Sequence, residues 1–106
     1  MRVNKLSDMS RGWFAGAFIP SVYPTAHFEA AVKEYKAGDR EPKHHHKIAT
    51  EITVIVSGVV TMNGQTFVDG DIITVLPNES VEFMAVTDAK NVVIKVPSVN
   101  SDKYLD

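Results

Sequence analysis

Lys43-His44-His45-His46-Lys47-Ile48-Ala49-Thr50-Glu51-Ile52-Thr53-Val54-Ile55-Val56 is the stretch on which the reading of this chain turns. Its second half is rich in β-branched residues and has high strand propensity. Its first half sets three imidazoles side by side. On an extended strand successive side chains alternate faces, so His44 and His46 point one way and His45 the other. Imidazoles on the same face stand about 6.6 Å apart along the strand and can lean onto one ion. Neutral imidazole nitrogen is the commonest protein ligand for first-row metals. Glu51 opens the apolar strand that follows. A glutamate entering such a strand must face solvent or find a partner, which makes it the candidate for a third ligand. Two histidines and one carboxylate on a common face, with open positions, are the ligand set of non-haem iron(II) oxygenases. The same set suits zinc, manganese or nickel, and the residues alone do not choose among them.

Downstream, the chain keeps the rhythm of short strands and tight turns. Ser57-Gly58 interrupts the apolar run and residues 59–62 resume it. Asn63-Gly64 is a strong hairpin signal, because a type I′ turn needs two residues that accept positive φ. Residues 66–68 return antiparallel, Asp69-Gly70-Asp71 turns again, and 72–76 form an apolar strand broken at Pro77-Asn78-Glu79-Ser80. Two further strands are expected at 81–86 and 91–96, joined by a polar turn at 87–90. This spacing predicts an antiparallel sandwich or small barrel. Upstream, 12–19 reads as a strand whose glycines permit a close approach or a bulge, and Pro20 and Pro24 bracket a loop. Residues 26–36 are ambiguous. Phe28, Val32 and Tyr35 fit one helical face and local propensity leans helical, whereas 32–36 alternates like a strand. The polar tail, 98–106, is expected to fray or to dock on a partner.

The segment from Gly38 to Gly58 resembles the first cupin motif: a glycine, five residues, His-x-His, four residues, a glutamate, six residues and a glycine. Every fixed position is matched. The resemblance implies an all-β fold, a double-stranded β-helix or jelly-roll cupin barrel, with one divalent transition metal (Zn, Fe, Mn or Ni) held by His44, His46 and Glu51. It covers about residues 28–97 of a single domain spanning 1–106, and it favours the strand reading of 33–36. The second cupin motif is partial. Gly70-Asp71 opens it, and Leu76-Pro77-Asn78 stands where Pro-x-Gly belongs, with Asn able to supply the left-handed conformation. The fourth ligand position holds Val81 instead of histidine. Its neighbour Glu82 is a possible fourth ligand if the strand is shifted by one residue, which would turn every side chain to the other face.

The remaining features bound the function. The chain has 106 residues, 44% hydrophobic and 23% charged, which suits one packed domain. A net charge of -2 gives no long-range attraction for nucleic acid or anionic membrane. Without cysteine, neither disulfides nor thiolate metal sites are possible. No apolar run approaches the roughly 20 residues of a membrane helix, the first ten residues lack the apolar stretch of a secretory signal, and a cytoplasmic protein is expected. His27 stands alone beside Phe28 and reads as a packed or exposed residue, with a place in a cavity wall the alternative; Trp13, Phe14 and Phe18 read as core or dimer contact. Two function classes follow. One is a metal-dependent enzyme acting on a small molecule such as a sugar derivative, with dioxygenase and isomerase chemistry both known on the resembled fold. The other is a non-catalytic ligand-binding or dimerisation module with a weak or lost metal site. The resemblance also implies a homodimer, in which residues 13–19 are expected to cover a neighbour.

Overall fold

Ten strands and one short 3-10 turn (Leu6–Asp8) build the chain, and the computed structural model describes all of residues 1–106. The strands are β1 (Trp13–Ala15), β2 (Glu29–Tyr35), β3 (Arg40–His45), β4 (Thr50–Ser57), β5 (Val59–Met62), β6 (Gln65–Val68), β7 (Ile72–Val75), β8 (Val81–Ala85), β9 (Ala89–Val96) and β10 (Tyr104–Leu105). They pair antiparallel in two five-stranded sheets, ordered β1-β2-β9-β4-β7 and β10-β3-β8-β5-β6. Consecutive strands therefore cross repeatedly from one sheet to the other, which is the jelly-roll arrangement.

The register of β4 explains how the sheets close on each other. Glu51, Thr53 and Ile55 pair with Lys95, Val93 and Asn91 of β9, and these residues all face the opposite sheet. Thr53 and Ile55 are buried. Between the sheets, Ile55, Val60, Met62, Val75, Phe83, Ala85 and Ala89 form a continuous apolar cluster. Its Met62 and Phe83 reach the cavity that the two histidine-bearing and glutamate-bearing strands enclose. The turns use the residues expected of them. Asn63 (φ 51) and Gly64 (φ 75) are both left-handed in the β5–β6 hairpin, and Asn78 (φ 71) supplies the conformation of the glycine it replaces. Gly58 is needed for space as well as for φ: a Cβ there would collide with the Asp88 carbonyl oxygen.

Within the ambiguous segment 26–36, Glu29–Tyr35 is strand and no part is helix. β2 pairs with β9 along its whole length, from Glu29↔Lys95 to Tyr35↔Ala89, and this ladder overrides the helical lean of its residues. The upstream strand is shorter than its sequence suggests. It ends at Ala15, because Gly16 turns away with φ 147. β9 begins at Ala89, so the turn before it is tighter than 87–90. The tail folds back onto its own domain. β10 pairs with β3, and Ser98 and Asp102 are buried.

Candidate metal centre

His44 and His46 lie at the end of β3, where the chain leaves the sheet. Both are buried, and their rings stand 5.3 Å apart between centroids at 81° to each other. His45 points the opposite way, stacked on Tyr104 at 5.5 Å with its Nδ1 2.7 Å from Asp106 Oδ1. Alternation along an extended strand produces this division. Glu51, second residue of β4, meets the two histidines from the other sheet. One ligand atom from each of the three residues falls within 4.8 Å of the other two.

The surroundings of the three donors differ. His44 Nδ1 donates to the Pro42 carbonyl oxygen at 2.9 Å, so Nε2 is the ring nitrogen left to meet an ion. His46 Nε2 is buried without any hydrogen-bond partner in the protein. Burial, and after it the nearby Lys95, pushes the His46 imidazole down to about 4, so it is neutral at pH 7. Burial pushes the Glu51 carboxyl up, with Lys95 opposing, and no lysine or arginine lies within ion-pair distance of it. An orphaned buried nitrogen beside a half-buried carboxyl without a cationic partner is costly as it stands. A divalent ion satisfies both, and two nitrogens with one oxygen suit first-row metals. The residues therefore fit the metal that the motif implies.

The loop between the ligands is held by Asp102 from the C-terminal segment. Its Oδ1 accepts from the amides of Lys47 (3.0 Å) and Ile48 (3.2 Å), and its Oδ2 from Ile48 (3.2 Å) and Ala49 (2.9 Å). Burial alone would raise this carboxyl, but the three amides outweigh it and hold Asp102 below the usual carboxylate range. Three of the four residues that space His46 from Glu51 are thus clamped by a group far along the chain.

Comparison with known proteins adds the fold. No family model and no curated protein matches the chain. Solved structures do. A conserved protein with a double-stranded β-helix domain from Klebsiella pneumoniae superposes with a TM-score of 0.73 at 19% identity, covering 98% of this chain and 90% of that one. An RmlC-like cupin from Desulfovibrio desulfuricans gives 0.63 at 23% identity, over 74% and 79% of the two chains. This chain has the cupin fold. The DMSP lyase DddQ from Ruegeria pomeroyi shares it with a TM-score of 0.68 at 20% identity, over 80% of this chain and 46% of the lyase.

Register shows which residue of the partial second motif faces the ligands. His44 pairs with Val81 across β3 and β8, so Val81 faces inward at the place of the fourth ligand and lines the cavity. The shift that would bring Glu82 to the ligands does not occur. Glu82 is exposed on the outer face of β8, where its amide donates to Asn63 Oδ1 at 3.0 Å. His27 is exposed and lines neither cavity beside the ligands.

Several cavity residues are not apparent from the motif. Glu41 lies an odd number of residues before His44, so simple alternation puts it outside. A bulge intervenes. Glu41↔Phe83 and His44↔Val81 place three steps of β3 against two of β8, and Glu41 also faces inward. There it accepts a hydrogen bond from the Tyr35 hydroxyl at 3.4 Å; burial first, and then Glu41, raises the Tyr35 phenol and keeps it protonated. Lys33, Asn91 and Lys95 face the same cavity from β2 and β9. Trp13, expected in core or at a dimer contact, lines it too.

Proposed function

We propose that this cupin domain holds one divalent first-row metal ion on His44, His46 and Glu51 and binds a small molecule, such as a sugar derivative, in the cavity beside it. The observation that carries the reading is the convergence of three donor atoms within 4.8 Å, one of them a buried His46 nitrogen with no partner in the protein. Zinc, iron, manganese and nickel all accept this ligand set. When bound, such an ion supplies Lewis acidity toward an oxygen of the ligand. The chain's own residues shape what that ligand meets. Met62, Val81, Phe83 and Val93 give the cavity of about 160 Å³ an apolar wall that keeps water from one side. Asn91, on the same wall, is 1% exposed and its Oδ1 has no hydrogen-bond partner in the protein. The neutral Tyr35 and its acceptor Glu41 are a donor and an acid–base candidate at the same wall.

Val81 favours a second reading, a module that captures a ligand without turning it over, because the centre has one protein ligand fewer than the motif provides. A turnover screen with sugar phosphates and nucleotide sugars separates the two: chemical conversion supports the enzyme, and binding without conversion supports capture. The metal reading itself is tested by elemental analysis of protein purified without chelator or nickel resin, then incubated with each metal and dialysed. Close to one ion per chain is expected in wild type and under a tenth of that in His46→Ala and Glu51→Gln. Equal contents in all three proteins would overturn it.

A second copy of the chain is the proposed macromolecular partner. The outer face of the β2-β9-β4-β7 sheet carries Val32, Val92, Val54 and Ile72 in one cross-strand row and Ile94 and Ile52 in the next. Ile72 is 67% and Val96 46% exposed. An apolar face of β-branched residues, paired with its own copy about a two-fold axis, would supply the kind of apolar core that homodimer interfaces have. No helix of the chain is long and apolar enough to cross a membrane.

A further inference from the structure

The cavity beside the ligands carries more positive charge than holding a cation requires. Two openings flank the centre, one of about 160 Å³ at His44 and Glu51 and one of about 320 Å³ at His46. Arg11, Trp13, Lys95 and Lys103 line both, so they stand where the two meet. Lys33 joins them from the inward face of β2. None of these four cations forms an ion pair; the chain's ion pairs are His45–Asp106 and Lys90–Glu34, both elsewhere. The acids of the two openings are otherwise engaged: Glu41 with the Tyr35 hydroxyl, Glu51 with the histidine cluster, Glu29 with the Ser98 hydroxyl, and Asp102 with the amides of Lys47, Ile48 and Ala49.

The cluster is built into the fold. Arg11 (φ 52) and Gly12 (φ 84) form a left-handed turn ahead of β1. That turn is pressed onto β2: the Val32 amide donates to the Gly12 carbonyl oxygen at 3.0 Å, and a Cβ on Gly12 would collide with the Val32 carbonyl oxygen. Arg11 is thereby delivered to the rim, where its carbonyl oxygen accepts from Lys33 Nζ at 3.1 Å. The Trp13 ring lies between Lys33 Nζ, 5.8 Å from its centroid, and Lys95 Nζ, at 5.0 Å. Burial, opposed by Glu41 and reinforced by the neighbouring cations, lowers the Lys33 ammonium below the usual lysine range. Like charges gathered at a partly enclosed rim repel one another, and an anion seated among them removes that repulsion.

We propose that this rim is an anion site, which takes the carboxylate or phosphate group of a small molecule whose other end lies against His44, His46 and Glu51. The inference rests on the metal reading above for that other end, while the four cations and Trp13 stand without it. Trp13 is the chain's single tryptophan, so its fluorescence reports on the site. The experiment titrates inorganic phosphate and, separately, malonate into chelator-stripped and zinc-loaded protein at constant ionic strength, with zinc binding measured in parallel. A saturable fluorescence change is expected with at least one probe, and the probe that saturates lower identifies the source as phosphate or carboxylate. Lys95→Met is expected to weaken it at least tenfold, and so is Lys103→Met, an exposed position where folding is not at issue; Lys90→Met, on the outer face, leaves it unchanged. No saturable change with either probe, or wild-type titrations in both Lys95→Met and Lys103→Met, would overturn the proposal. If zinc fails to bind while phosphate or malonate saturates, the metal reading fails and the anion site stands. If zinc binds and neither anion does, the anion site alone fails.

Discussion

Replacing Asp102 tests whether the geometry of the centre is imposed from outside the motif. The carboxylate is 5% exposed and accepts from three consecutive amides, those of Lys47, Ile48 and Ala49. Lys47 and Ile48 are exposed residues, so water takes over their amides when the acceptor is removed; Ala49 is 2% exposed and its amide is left without a partner. A hydrogen bond to a charged acceptor is worth about 1.5–3 kcal/mol net, and an orphaned buried donor costs about 1–3 kcal/mol. Counting the Ala49 bond in full and the other two as largely replaced by water, Asp102→Ala should lose about 3 kcal/mol. For a domain of this size that corresponds to a fall in Tm of about 12–20 °C. Asp102→Asn keeps one acceptor oxygen but turns an amide toward the donors, and should lose about half as much. Metal affinity should fall about tenfold even where the protein stays folded, as it does when groups supporting the ligands are removed. Urea unfolding of the metal-free proteins and competitive zinc titration with a chromophoric chelator provide the two readouts. Asp102→Ala within about 0.5 kcal/mol of wild type, or unfolding at the expected stability but binding zinc as tightly as wild type, would refute the reasoning.

Three further outcomes follow from the same structure. In chelator-treated protein, stability should fall as pH drops from 6.5 toward 4, because the unfolded chain takes up a proton on His46 that the folded chain, with this imidazole held near 4, does not; the loss approaches about 3 kcal/mol at roughly 1.36 kcal/mol per pH unit. Glu51, whose raised carboxyl is protonated first in the folded state, acts with the opposite sign, so urea midpoints across this range should flatten in His46→Gln and steepen in Glu51→Gln. Val81→His puts an imidazole opposite His44 on the cavity face and should tighten zinc binding at least tenfold, whereas Glu82→Ala, on the outer face, should leave it unchanged in the same titration. Val54→Lys sets a charge in the middle of the apolar outer row and should convert a dimer to a monomer by light scattering, with unfolding otherwise like wild type.

The parts of this fold that local chemistry dictates were legible in the chain. Asn63-Gly64 allows little but a tight hairpin, and alternation along His44, His45 and His46 is a property of any extended strand. Asn78 shows how a departure from a motif can be read physically, because asparagine tolerates the left-handed φ of 71° found there. What was not legible depends on pairing between distant segments. Residues 26–36 carry a helical face in Phe28, Val32 and Tyr35, and pairing with distant strands makes Glu29–Tyr35 strand. The β3 bulge shifts Glu41 from the outer to the inner face, and no count along the sequence reveals it. Lys33 and Lys95 look like ordinary surface lysines until the register fixes which face of the sheet they occupy. Asp102 lies in a polar tail with no pattern of its own, and its role exists only because that tail folds back over the loop after His46.

Anomalous scattering at the zinc edge, from crystals grown with zinc, tests most directly whether one ion sits among His44, His46 and Glu51. A single strong peak is expected, about 2.0–2.2 Å from His44 Nε2, His46 Nε2 and a Glu51 carboxylate oxygen, and absent in crystals of Glu51→Gln. A peak at His45 and Asp106 on the surface, or none between the sheets, would contradict it.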